Sequence, residues 1–142
     1  MKAAAVLAES NEYRPTEDEE FMNERQLEYF KQKLLGWKEE ILRESRETLT
    51  HLQSETENHP DLADRASSET DRALELRTRD RQRKLISKID EALRRIEDGS
   101  YGYCEETGEP IGVARLDARP IATLSLEAQE RHERRERVHR DD

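Results

Sequence analysis

The sequence predicts a mainly α-helical protein: a long antiparallel coiled-coil hairpin, a small degenerate zinc-ribbon-like lobe, and a C-terminal helix. Three observations carry that expectation. Charged residues make up 42% of the 142-residue chain and hydrophobic residues 32%, a balance that suits long solvated helices better than a large core. Apolar residues recur at spacings of three and four from Leu27 to Ile41 and again from Leu85 to Ile96, with Pro60 as a break between the two stretches. Glycine and aromatic residues then cluster in Gly99-Ser100-Tyr101-Gly102-Tyr103-Cys104, where the helical pattern stops.

Residues 1–22 form a weakly patterned N-terminal arm with an acidic run, Glu17-Asp18-Glu19-Glu20. The hairpin spans 23–98. Asn23 and Gln26 have the form of a capping box, which satisfies free backbone N–H groups at a helix start. Leu27, Phe30, Leu34, Trp37 and Ile41 follow as an a/d seam, weakening at Ser45 and Thr48 and resuming at Leu49 and Leu52. The first helix runs to about Glu57, a length of ~50 Å at 1.5 Å per residue.

Pro60 breaks that helix, and residues 58–67 make the turn at the hairpin tip. The second helix starts between Asp61 and Ser68, where Ser68 and Asp71 repeat the capping pattern. It continues through Leu74, Leu85, Ile89, Leu93 and Ile96 to Gly99, which suits a left-handed cap. The basic cluster Arg77 to Lys84 reads, taken alone, as a solvated face. In the lobe, residues 99–126, Ile111-Gly112-Val113 and Ile121-Ala122-Thr123-Leu124 read as short strands. Residues 127–142 alternate acids and bases and read as a polar helix docked by a few contacts.

Positions 104, 107, 125 and 128 fall at the spacing C-x2-C-x17-C-x2-C of a four-cysteine zinc site. They hold Cys104, Thr107, Ser125 and Ala128. Zinc in such a site takes four thiolate or imidazole ligands in a tetrahedron, and hydroxyls and a methyl group are poor replacements. His132 and His139 read as solvated helix positions. The lobe is therefore expected to hold no zinc, with Tyr101, Tyr103, Ile111, Val113, Leu116 and Leu124 packing in its place.

The formal charge is −9, which argues against direct binding to DNA. That charge is uneven, with 8 basic and 14 acidic side chains in residues 1–60 against 17 and 20 in 61–142, so basic clusters gather in the second half. One cysteine excludes an internal disulfide and fits a reducing, cytoplasmic setting. No apolar run approaches the length of a membrane span. No nucleophile–base arrangement, phosphate loop or intact metal site marks an enzyme.

Met22-Asn23-Glu24, His59-Pro60-Asp61, Asp64-Arg65-Ala66, Leu74-Glu75-Leu76-Arg77, Arg79-Asp80-Arg81, Arg83-Lys84-Leu85-Ile86, Gly102-Tyr103-Cys104, Ile111-Gly112, Arg115-Leu116 and Ala118-Arg119-Pro120 occur in order along the chain. With them the sequence resembles the DksA family of bacterial transcription factors over about Met22 to Glu136. The resemblance implies a monomeric regulator that binds RNA polymerase through its secondary channel and, with ppGpp, destabilises promoter open complexes in the stringent response. Such a regulator represses ribosomal RNA promoters and aids some amino-acid biosynthesis promoters.

It further implies that Asp61, Asp64 and Ala66 at the tip act near the polymerase active site. Read alone, the two carboxylates fit ordinary helix capping better than a functional role. The resemblance also matches Arg81, Leu85, Lys88 and Arg119 to ppGpp contacts made together with polymerase, with Arg115 as a neighbour. The lysine that the family carries just after the last zinc position is Gln129 here, which weakens phosphate attraction. The cysteine loss places the chain with the zinc-independent members. Two other functions fit parts of the pattern: a Gre-like transcript-cleavage cofactor using the two tip carboxylates to hold Mg²⁺, and a coiled-coil interaction protein that dimerises.

Overall fold

The computed structural model describes residues 13–57 and 62–141. Its elements are α1 (Glu24–Glu57), α2 (Leu62–Asp98), α3 (Val113–Ala118) and α4 (Leu126–Asp141). The chain divides into two compact units, one from Leu35 to Glu91 and the other from the described residues up to Leu34 and from Ala92 onward.

In the Leu35–Glu91 unit, α1 and α2 run antiparallel. Lys38 Nζ meets Asp90 Oδ1 at 2.6 Å and His51 Nδ1 meets Glu75 Oε1 at 2.8 Å, so partners descend on α2 as they ascend on α1. Ile41 and Ile89 are buried between these contacts. Burying one such side chain contributes about 1.5–3 kcal/mol, and the apolar spacing supplies few of them. Leu49 is 39% exposed, so the seam of α1 does not resume there as its spacing suggested. α2 begins at Leu62, within the Asp61–Ser68 range expected from the sequence, and runs on through Ser68 without a break.

The other unit starts at a cap. Gln26 N–H donates to Asn23 Oδ1 at 2.9 Å, as the capping box requires. The reciprocal bond is displaced by one residue, since Gln26 Oε1 accepts from the backbone N–H of Met22 at 2.8 Å. Met22 has φ 55, which swings its N–H toward α1. Gln26 is fully buried, and its Nε2 also donates to the Thr16 carbonyl oxygen at 3.3 Å. Phe30, Leu34, Ala92 and Tyr101 form the core here, with the Phe30 and Tyr101 rings 5.6 Å apart.

Gly99 ends α2 with φ 86, a conformation glycine adopts without steric cost. Beyond it, Tyr103 and Pro110 make an isolated antiparallel bridge, and no strand forms among the described residues. Ile111 and Val113 are instead drawn inward at the start of α3, which buries Val113 and Leu116. Ser125 caps α4, its Oγ accepting from Ala128 N–H at 3.3 Å. Ala128 is fully buried, while Leu126 and Val138 are exposed, so α4 docks by one narrow edge.

Candidate functional site

Three groups of side chains carry the functional expectations. Asp61 of the tip lies outside the described residues. Asp64 and Ala66 belong to the first turns of α2, and their side chains lie outside them too.

The second group divides between the two units. Arg81, Leu85 and Lys88 recur at steps of four and three on α2, a spacing that aligns them along one stripe of a helix. Arg81 and Lys88 are exposed and Leu85 is half-buried at the seam edge. Beside them, Lys84 pairs with Asp80 at 3.3 Å on the same helix, the solvated arrangement expected of this basic cluster. Arg115 and Arg119 sit on and just after α3, where Arg119 N–H donates to the Arg115 carbonyl oxygen at 2.8 Å. Arg119 is exposed, whereas Arg115 Nε donates to the Leu124 carbonyl oxygen at 3.1 Å and so braces the lobe.

The third group is the degenerate metal position. Cys104 is buried, and its backbone N–H donates to the Glu109 carbonyl oxygen at 2.8 Å while its own carbonyl oxygen accepts from Gly108 N–H at 2.9 Å. Glu105 N–H donates to Thr123 at 2.9 Å, tying this knuckle to the approach of α4. Burial pushes the Cys104 thiol up, but hydrogen bonds to the sulfur from the Thr107 hydroxyl and from the N–H groups of Ser125, Thr107 and Glu106 outweigh it and pull the thiol down to about 6. Ala128 fills the fourth position with a methyl group.

These residues do not fit zinc. One thiol, two hydroxyls already engaged in hydrogen bonds and one methyl leave a single competent donor. No group of three or more histidine, cysteine or acidic side chains gathers among the described residues. Tyr101 is buried, with its hydroxyl donating to the Pro120 carbonyl oxygen at 2.8 Å, and Ile111, Val113 and Leu116 are buried as well. Tyr103, expected inside, is 39% exposed and sets its ring edge-on to Phe21 at 5.4 Å.

Several contacts escaped the sequence reading. Lys33 Nζ and the Tyr29 hydroxyl converge on Asp117 Oδ1 at 2.7 and 2.6 Å. Arg95 pairs with Glu105, and His132 Nε2 lies 3.4 Å from Glu106 Oε1 rather than free in solvent. Nothing local marks partners 84 residues apart.

Residues 26–96 match the family model described as DnaK suppressor protein DksA, N-terminal domain. Residues 99–134 match the prokaryotic dksA/traR C4-type zinc finger, although three of its four cysteine positions are replaced here. The chain is 84% identical over all 142 residues, and over the whole of its relative, to a protein of Caulobacter vibrioides named RNA polymerase-binding transcription factor DksA. A protein of the same name from Escherichia coli K12 is 44% identical over 132 residues, covering 93% of this chain and 87% of the relative. The solved structure of transcription factor DksA2 from Pseudomonas aeruginosa superposes with a TM-score of 0.78 at 40% identity, over 96% of this chain and 99% of that one.

Proposed function

We propose that this chain, which belongs to the DksA family, regulates transcription by binding RNA polymerase. The observation that carries the reading is identity of 84% along the entire chain to a relative named for that activity. Supporting it, α1 and α2 pair antiparallel within one chain, as a probe built from a single copy requires.

On this reading the hairpin of residues 23–98 enters the secondary channel and carries Asp61, Asp64 and Ala66 to the polymerase active site. Two carboxylates there alter the field around bound metal and nucleic acid, and the methyl of Ala66 permits close approach. Arg81, Leu85, Lys88 and Arg119, with Arg115 beside them, contact ppGpp in the complex with polymerase. Guanidinium and ammonium groups suit its phosphates. The factor then shortens the life of promoter open complexes, as a cytoplasmic monomer that performs no catalysis of its own and needs no zinc. That last point rests on the donor set at Cys104, Thr107, Ser125 and Ala128.

Binding to purified core polymerase tests the reading. Capture of polymerase that a Gre-type factor displaces, with Asp64→Asn binding as tightly as the native chain, is the expected result. Capture that a Gre-type factor leaves undisturbed contradicts the secondary channel, and no capture contradicts the reading as a whole.

A further inference from the structure

Within the Leu35–Glu91 unit the seam between the helices changes character at one level. On α2 the inward positions from Glu75 run Glu75, Thr78, Gln82, Leu85 and Ile89, at steps of three and four. The last two are apolar and the first three are polar. On α1 the inward positions are Ile41, Ser45 and Thr48, apolar at the first and polar at the next two. The contacts Lys38–Asp90 and His51–Glu75 set the register, so Ser45 and Thr48 stand at the level of Gln82 and Thr78.

This polar section is poorly satisfied. Gln82 is 9% exposed and its Oε1 has no hydrogen-bond partner, nor do the buried atoms Arg79 Nε and Glu75 Oε2. The hydroxyls of Thr48 and Thr78 bond back to the carbonyl oxygens of Glu44 and Leu74 on their own helices, both at 3.0 Å, and add nothing across the seam. Meanwhile three of its leucines face outward: Leu49 is 39% exposed, Leu74 53% and Leu76 48%. Pairing the helices here buries polar atoms and leaves apolar ones in water, the reverse of what stabilises a coiled coil.

We propose that residues 45–54 with 70–82 open as a separate unit, while residues 35–41 with 85–91 stay paired. The polar seam is a soft joint behind the turn, and its free-energy gap between closed and open forms is small because closing gains little burial. Its use, letting the segment that bears Asp64 and Ala66 adjust as it meets a surface, rests on the polymerase reading. The opening itself does not.

Hydrogen exchange on the free, full-length protein tests it independently of polymerase. The expected profile steps between Gln82 and Leu85 on α2 and between Ile41 and Ser45 on α1, with the distal amides exchanging about tenfold faster or more. A smooth gradient decaying from the turn, or uniform protection, overturns the proposal. In the double variant Thr78→Val with Gln82→Leu, amides of 45–54 and 70–82 slow by about tenfold and those of 35–41 keep their native rates. Unchanged distal exchange in that variant also overturns it.

Discussion

Cys104 and Thr107 both close on Glu109, the Cys104 N–H donating to its carbonyl oxygen at 2.8 Å and the Thr107 Oγ accepting from its N–H at 3.3 Å, so two positions at metal-ligand spacing share one loop. Burial alone would keep the thiol protonated, yet the surrounding donors pull it down to about 6. The predicted titration of Cys104, followed by ultraviolet thiolate absorbance, has its midpoint near that pH. Thr107→Val removes one donor and moves the midpoint upward. Because the folded thiol ionises more readily than the unfolded one, this group stabilises the fold fully above the ordinary thiol range, and the contribution is lost as pH falls through about 6. A native midpoint in the ordinary thiol range would show that the donors do not act on the sulfur.

Zinc removal has a matching expectation. Backbone hydrogen bonds at Cys104, Gly108 and Glu105 and the buried Tyr101, Leu116 and Ala128 hold the lobe without a metal. A strong chelator should leave Tm within a degree or so of its value in buffer, since no metal-binding free energy enters the fold. Unfolding by chelator would contradict the account of the lobe.

Asp117 gives the acid limb of the stability profile. Burial raises its carboxyl, but the hydrogen bonds from Lys33 and Tyr29 and the charge of Lys33 prevail and hold it below the usual carboxylate range. A depressed carboxylate stabilises above its unfolded pKa, and that stability disappears as pH falls through the folded value. Lys33→Ala should cost about 1 kcal/mol at neutral pH, because both side chains are about a third exposed and partly screened. The cost should vanish in acid, as read by urea denaturation at two pH values.

Gly102 is the position where the lobe tolerates least change. Its φ is 91, and a Cβ there would meet Met22 Cγ at 3.1 Å and Phe21 Cζ at 3.2 Å. Gly102→Ala should destabilise by about 1–3 kcal/mol through strain and displacement of Phe21. Gly99→Ala has the same backbone penalty without a clash, so the smaller loss there separates the two causes.

The helices were legible because their signals are local and repeated. The alternating seam, the Asn23 cap and the terminating Gly99 each act over a few residues, and each appears in the structure. The reading failed where local pattern competes with tertiary context. Leu49 has seam-like spacing but faces outward, while Ser45 and Thr48 take the inward positions. Ile111 and Val113 are β-branched and suggested a strand, yet both are buried, Val113 as the first residue of α3 and Ile111 just ahead of it. The degenerate metal position was legible from spacing alone. The hydrogen-bonded loop that replaces it was not, because Cys104 and Thr107 meet Glu109 only once the loop is folded.

On the proposed function, a hairpin tip bearing carboxylates acts on polymerase without zinc. Open-complex lifetime at a ribosomal RNA promoter, measured with purified polymerase and a chelator throughout, tests it most directly. The account predicts a lifetime shortened by the native chain and shortened further with ppGpp, and no shortening by Asp64→Asn although that variant still binds polymerase. An unchanged lifetime with the native chain, or an Asp64→Asn variant as active as the native chain, would contradict it.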